Sequence, residues 1–143
     1  MALANVLLVD DEVPFVETMT KRLTKRDLNI YTANSGSEGL EQLEKNDEIE
    51  VVILDVKMPG MDGIETLQKI KRKYPLVEVI MLTGHATVET GIEGMKLGAF
   101  DYLMKPCDMD LLMSKVRESA AKKRQHEEKI VEARIKEITS RRR

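Results

Sequence analysis

The sequence predicts an α/β fold with a doubly wound parallel sheet, in which five strands alternate with five helices. Short, continuous aliphatic runs recur along the chain, at residues 6–9 (VLLV), 51–54 (VVIL) and 79–82 (VIML). Such runs are typical of strands that are buried on both faces. Between them, apolar residues recur at helical spacing. An α+β domain is the second interpretation, but it accounts less well for the strict alternation of strands and helices.

The elements follow in order from the period of the apolar pattern. Strands are predicted over residues 5–9, 29–33, 51–54, 77–82 and 101–104. Ser35 is the expected N-cap of the second helix, because its hydroxyl can accept a free backbone amide. The fourth helix is predicted over residues 87–96, with Val88, Ile92 and Met95 forming its apolar stripe.

The segment after residue 106 contains no proline or glycine, so one helix is predicted through most of it. Asp108 or Asp110 opens this helix, and Leu111, Leu112 and Val116 are expected to face the core. Further apolar residues return late in the tail, at Ile130, Val131, Ile135 and Ile138. Two interpretations stay open, a solvated helix that frays beyond the domain and a short dimerising helix.

Composition excludes several classes of protein. The longest aliphatic runs have four residues, whereas a membrane span needs about 18. One cysteine, Cys107, and two histidines exclude a disulfide framework and a multi-cysteine zinc site. A reducing, cytoplasmic location fits this composition. Residues 1–106 carry a net charge of −6 and residues 107–143 a charge of +4, so the acidic front is not expected to bind nucleic acid.

Charged and hydroxyl side chains follow the predicted strands. In a doubly wound sheet, ligands bind at the carboxyl ends of the strands. Those ends carry Asp10 and Asp11, Asp55, Thr83 and Lys105. Each has an ordinary explanation alone, such as a helix N-terminus or a turn. Clustered carboxylates repel one another unless a cation intervenes, and an all-oxygen ligand set favours Mg²⁺. The set therefore indicates phosphoryl-transfer chemistry.

Four motifs in order make the sequence resemble the receiver domain of two-component response regulators. They are VLLVDDE (6–12), VVILDVKMPGMDGIE (51–65), IMLTGHA (80–86) and GAFDYLMKP (98–106). The resemblance covers residues 3 to about 123 and is closest to receivers attached to AAA+ transcriptional activators. It implies a chemotaxis-regulator-like fold with strand order 2-1-3-4-5.

The resemblance also implies a role for each site residue. Asp55 would be the phosphoacceptor. Asp10 and Asp11 would bind Mg²⁺, together with a carboxylate oxygen of Asp55 and the backbone carbonyl of Lys57. Lys105 would pair with the phosphoryl oxygens, and its bond to the following proline would be cis.

Two further pairs of residues are implied in the same way. Thr83 and Tyr102 would form the switch pair, in which Tyr102 turns from an exposed to a buried position. Lys57 and His85 would tune the lifetime of the phosphoryl group. Both of the latter have the ordinary interpretation of solvated loop residues.

These roles predict a phosphorylation-dependent signalling switch rather than an enzyme, since the domain would catalyse only its own phosphorylation and dephosphorylation. Its partners would be a sensor histidine kinase or a phosphotransfer protein, with no membrane and no direct DNA binding. Residues 1–123 would form the receiver and residues 124–143 a helical extension or linker. A homodimer would use the fourth helix, fifth strand, last helix and extension. It would bury Leu112 or Val116 near the domain and Val131, Ile135 and Ile138 along the tail.

Two alternatives belong to other functional classes. A haloacid-dehalogenase-like Mg²⁺-dependent phosphatase also uses an aspartate after a parallel strand. It normally has a second aspartate two positions later, where this sequence has Lys57. A pseudo-receiver that only binds proteins usually lacks the acceptor or the acidic pair, and both are present here.

Overall fold

The computed structural model describes residues 2–141. Its strands are β1 (Ala4–Val9), β2 (Leu28–Ala33), β3 (Val51–Leu54), β4 (Glu78–Thr83) and β5 (Asp101–Met104). Its helices are α1 (Val13–Thr24), α2 (Gly36–Lys45), α3 (Gly63–Lys73), α4 (Val88–Lys96) and α5 (Met109–Arg141). The ten predicted elements are confirmed, with strand boundaries that differ from the predicted ones by a single residue.

The five strands form one parallel sheet in the order 2-1-3-4-5, as predicted. Side chains alternate between two apolar layers because successive strand residues point to opposite faces. Leu8, Ile53 and Leu82 pack on the side of α1 and α5. Leu7, Leu54 and Met81 pack on the side of α2, α3 and α4.

The register of the sheet sets where the functional side chains lie. Val9 pairs with Leu54 across β1 and β3, at the last residue of each strand. Asp10 and Asp55 come directly after these residues and therefore lie side by side. We call this side of the sheet the carboxyl edge and the opposite side, where the strands begin, the amino edge.

Helix α4 turns its apolar stripe to the surface. Val88 is 79% exposed, Ile92 52% and Met95 48%. The buried residue of this helix is Gly94. An apolar stripe at helical spacing usually marks the face that packs against the core. Here the stripe predicts the helix correctly, but its side chains are exposed rather than packed.

Helix α5 packs its first three turns against the sheet. Leu112 and Val116 are fully buried among strand residues of their own chain. The prediction that one of them lies in a dimer contact is therefore wrong, because neither has surface left to offer. Leu111 is 44% exposed, so its predicted core position is also wrong. Adjacent residues on a helix lie about 100° apart, which turns Leu111 away when Leu112 faces inward.

The remainder of α5 continues beyond the body of the domain without a break. Four exposed residues, which we call the tail stripe, lie on it: Ile130, Val131, Ile135 and Ile138. Among the described residues, Arg124 is the last whose side chain is bonded to the body. It donates to Glu50 and to the carbonyl of Leu3. Residues 142 and 143 of the predicted extension lie outside the described residues. No helix within residues 2–141 has the length and apolar character to cross a membrane.

Candidate functional site: an acidic pocket at the carboxyl edge

Three carboxylates meet at the carboxyl edge. Asp10 and Asp11 follow β1, and Asp55 follows the neighbouring strand β3. One oxygen from each lies within 4.8 Å of the other two. Asp10 and Asp55 are buried, and Asp11 is half-buried. The structure thus brings together the three aspartates that were predicted to hold a metal ion.

Backbone amides fix the orientation of the two buried carboxylates. Asp10 Oδ1 accepts the amide of Glu12 at 2.9 Å, and Asp55 Oδ1 accepts the amide of Val56 at 2.8 Å. In each case the second oxygen is left for other partners. The two carboxylates are therefore oriented without any ligand.

Gly63 allows helix α3 to begin directly against the end of strand β3, next to Asp55. A Cβ at this position would lie 2.0 Å from the carbonyl oxygen of Asp55 and 2.7 Å from the Cα of Val56. The amide of Gly63 donates to the carbonyl of Val56 at 2.6 Å. Only glycine fits this approach, so the backbone around Asp55 depends on it.

Lys105 reaches the pocket from the end of β5. Its Nζ lies 2.7 Å from Asp10 Oδ2 and 3.8 Å from Asp55 Oδ2. It also lies 3.3 Å from Glu12 Oε1 and 3.9 Å from the centre of the Phe15 ring. The predicted cis bond between Lys105 and Pro106 is present.

The pocket favours added positive charge. Burial raises the pKa of Asp10, and the hydrogen bonds from Lys105 and the Glu12 amide only partly offset this. Burial lowers the pKa of Lys105, but its contacts with Asp10 and its proximity to Asp55 outweigh that effect and raise it. Both directions mean that the pocket holds its protons more tightly, at Asp10 chiefly because of burial and at Lys105 because of the neighbouring carboxylates.

The residues present fit a hard divalent cation. Three carboxylate oxygens within 4.8 Å of one another form the type of ligand set that Mg²⁺ uses, completed by waters and a phosphoryl oxygen. The resemblance to receiver domains predicted Mg²⁺ at such an acidic pocket, and the cluster of Asp10, Asp11 and Asp55 fits that prediction in composition. The carbonyl of Lys57 remains a predicted ligand.

The other predicted residues surround this pocket. Thr83 is fully buried at the end of β4, and its Oγ1 accepts the amide of His85 at 3.0 Å. Lys57 and His85 are exposed. Both line an open cleft of about 450 Å³ together with Asp11, Glu12, Met58 and Pro59. The cleft reaches the acidic pocket at Asp11.

Tyr102 lies on β5, beside Met81 of β4. It is half-buried rather than exposed, and its hydroxyl lies 2.6 Å from Thr90 Oγ1 on α4. The tyrosine is thus engaged with α4 in this structure. Its predicted turn between two positions stays a prediction.

Three contacts of the site were not found from the sequence. Glu12 and Phe15 both contact Lys105, and Thr90 contacts Tyr102. Glu12 directly follows the aspartate pair, which is a usable signal. Phe15 was interpreted only as part of an apolar helix stripe, and nothing in the pattern distinguishes such a ring from one in the core.

Comparison with known proteins decides the family. The family model described as "Response regulator receiver domain" matches residues 6–117. The chain belongs to this family. The receiver is 38% identical over 117 residues to the transcriptional regulatory protein ZraR of Escherichia coli (strain K12), covering 82% of this chain and 26% of that protein. It is 37% identical over 115 residues to a putative response regulator, NtrX-like, of Rickettsia bellii, covering 79% and 24%.

Solved structures agree with this assignment. A response regulator receiver domain protein from Clostridium thermocellum superposes on the receiver with a TM-score of 0.82 at 36% identity, covering 85% of this chain and 98% of that one. The chemotaxis protein CheY4 of Vibrio cholerae gives a TM-score of 0.76 at 30% identity, with coverages of 82% and 99%. The receiver spans about a quarter of the length of the curated relatives it matches.

Proposed function

We propose that this receiver is a phosphorylation-dependent switch that accepts a phosphoryl group on Asp55 from a histidine kinase or phosphotransfer protein. The observation that carries the proposal is the placement of Asp55. It is a buried, oriented carboxylate 3.8 Å from the Lys105 ammonium, within a cluster of metal-ligating oxygens. Both alternatives, a phosphatase and a pseudo-receiver, lack support from the comparisons.

The transfer itself needs alignment and charge neutralisation more than covalent chemistry. An oxygen of Asp55 forms a bond to phosphorus while the bond from phosphorus to the donor's imidazole nitrogen breaks, and the imidazole leaves. Lys105 supplies a positive charge to the phosphoryl oxygens. Mg²⁺ held by Asp10, Asp11 and Asp55 would supply the remaining neutralisation. Lys57 and His85, at the mouth of the cleft, are placed to affect how water reaches the acyl phosphate.

The direct test is phosphorylation by acetyl phosphate. With Mg²⁺, the receiver should gain one acid-labile, hydroxylamine-sensitive phosphoryl group. The gain is measured by intact mass and its release by treatment with hydroxylamine. Asp55→Asn should abolish the gain, and EDTA should suppress it in the unchanged protein. Asp62→Asn is the matched control, because Asp62 is an exposed helix cap and asparagine caps equally well. Full labelling of Asp55→Asn would remove Asp55 as the acceptor.

The output is proposed to pass through the face formed by α4, β5 and α5. This face carries uncovered apolar side chains: Val88, Ile92, Met95, Met104 and Leu111. The tail stripe continues on the free part of α5. A homodimer through these surfaces would cover the apolar residues of this face and the tail stripe. The buried Leu112 and Val116 have no part in this contact.

Charge insertion into the tail stripe tests the dimer. We expect beryllofluoride, which mimics the phosphoryl group, to increase self-association of the full chain in sedimentation velocity. Ile135→Asp should weaken association at least tenfold, because the new carboxylate would be buried in the contact. Ala133→Asp is the control, since it adds the same charge about 160° away on the same helix. Equal behaviour of the two variants would exclude the stripe from the contact.

A further inference from the structure

The hydroxyl of Tyr102 is bonded to the turn that begins helix α4. Its Oη lies 2.6 Å from Thr90 Oγ1. Thr90 is in the first turn of the helix, whose N-cap is Thr87. The contact therefore joins strand β5 to the start of α4 through two side chains.

Thr90 already has a structural task within α4. Its Oγ1 accepts the backbone amide of Thr87 at 3.3 Å, while its own amide donates to Thr87 Oγ1 at 3.1 Å. This reciprocal pair is a capping box. It satisfies backbone amides that the helix itself leaves without partners.

The hydrogen-bond capacity of the Thr90 hydroxyl is filled by these contacts. A threonine hydroxyl donates one proton and accepts at two lone pairs. Either hydroxyl of the Thr90–Tyr102 pair can donate at this distance. We assign the Thr90 proton to an oxygen of Thr87, either the carbonyl at 3.2 Å or the hydroxyl at 2.9 Å, because this also gives the Tyr102 proton an acceptor. One lone pair takes the Thr87 amide. The second lone pair is left for the proton of Tyr102, which thereby completes the capping box.

The Tyr102 ring also takes the place of side chains that α4 lacks. A Cβ on Gly91 would lie 3.6 Å from the ring, and one on Gly94 would lie 3.7 Å from it. Thr90, Gly91 and Gly94 thus form the face of α4 that meets β5. The apolar stripe of the helix points to solvent, so α4 is held through this small-residue face, by the Tyr102 ring and hydroxyl together with Met81 and Ile64 beside Gly94.

We propose that Thr90 is a positioning residue that ties the orientation of Tyr102 to the start of α4. The proposal rests on the proposed function, because it takes phosphorylation to be what moves Tyr102. When Tyr102 leaves, Thr90 loses one partner and the glycine face of α4 loses its packing. The first turn of α4 then loosens and reorients, carrying the exposed Val88 and Ile92 with it.

Amide hydrogen exchange without any activator tests the tie itself. The readout is the Gly91 amide, which donates to the Thr87 carbonyl at 3.0 Å in the first turn. We expect Tyr102→Phe to accelerate its exchange roughly fivefold, the worth of one neutral hydrogen bond. Thr90→Val should accelerate it more, because it also removes the bond to the Thr87 amide. Thr90→Ser keeps the hydroxyl and should exchange like the unchanged protein.

The double variant separates a tie from two independent effects. If Tyr102 acts through Thr90, Tyr102→Phe should add nothing in the Thr90→Val background. Effects that multiply would overturn the proposal. Tyr31→Phe is the matched control, because Tyr31 also bonds through its hydroxyl but lies on β2 at the far side of the sheet. The Leu97 amide at the other end of α4 serves as an internal reference.

A second arm uses beryllofluoride with Mg²⁺. The Gly91 amide of the unchanged protein should then exchange as fast as in Tyr102→Phe, with no further gain in Thr90→Val. Unchanged exchange despite bound beryllofluoride would overturn the role of Thr90 in switching. Failure of beryllofluoride to bind at all would instead count against the proposed function. The double variant would still show whether Thr90 couples Tyr102 to the start of α4.

Discussion

At the carboxyl edge of the sheet, the buried carboxylates Asp10 and Asp55 have one cation within 4.0 Å among the described residues, Lys105, and they share it with Glu12. At the amino edge, two buried carboxylates have three cations between them. Arg124 binds Glu50 through two hydrogen bonds of 2.7 and 2.9 Å. Lys71 and Lys122 lie 3.7 and 3.5 Å from Glu78.

The difference shows that burial of charge alone does not identify a functional site. Both edges bury carboxylates, but only the amino edge supplies enough positive charge to match them. An unmatched cluster costs folding free energy through mutual repulsion. An imbalance of this kind is expected where a cation is to be bound, as we propose for this pocket, so the imbalance is the informative feature.

The largest expected effect comes from breaking the amino edge. Arg124→Ala leaves Glu50 buried without its main partner and removes a donor from the carbonyl of Leu3. We expect a loss of about 2 kcal/mol in the free energy of unfolding, less than for a fully buried pair because water reaches the arginine. Urea denaturation measures it. Arg134→Ala, on the free part of α5, should change stability by less than about 0.5 kcal/mol.

A smaller effect of opposite sign is expected at the carboxyl edge. Asp55→Asn removes one negative charge from the unmatched cluster and leaves the bond between Asp10 and Lys105 intact. In EDTA we expect the protein to gain about 1 kcal/mol of stability, because the repulsion between two buried carboxylates is removed. Thermal melts of this variant and of Asp62→Asn measure the gain. A clear loss of stability in Asp55→Asn would mean that this aspartate is structural.

The smallest effect is the pH dependence of the amino edge. Burial raises the pKa of Glu50, but hydrogen bonds from Arg124 and from the Asn5 amide outweigh it and lower the pKa below its ordinary value of 4.5. A lowered carboxyl pKa gives stability that is present above the unfolded value and is lost as pH falls through the folded one. The stability difference between the unchanged protein and Arg124→Ala should therefore be constant from about pH 5.5 to 7. It should shrink below pH 4.5, and a difference that grows on acidification would contradict this assignment.

The sequence predicted the carboxyl edge well because its signals are local. The continuous apolar run of β3 ends directly before Asp55, and Lys105 directly follows the predicted strand 101–104, so both can be placed by counting. The amino edge gave no such signal. Glu50 and Arg124 are 74 positions apart, and each looks like an ordinary charged surface residue until the fold brings them together.

The faces of helices were the less predictable part of the fold. Val88, Ile92 and Met95 have the spacing of a core stripe, yet α4 meets the sheet through Thr90 and two glycines. The reason is a side chain on another element, the Tyr102 ring, which fills the space that α4 leaves. In α5, the neighbouring leucines at 111 and 112 were both expected to be buried, and only the packed sheet decides that Leu112 points inward.

The unbroken course of α5 has a mechanical consequence. Arg124 fixes the helix at the amino edge, and the 17 residues from Gln125 to Arg141 extend beyond it for about 25 Å at the usual helical rise. Such a rod acts as a lever with its fulcrum at Arg124. A tilt of about 10° at the fulcrum displaces the tip by roughly 4 Å, the distance over which two side chains gain or lose contact. A rotation small enough to leave the core packing unchanged is therefore large enough to join or separate whatever the tip touches.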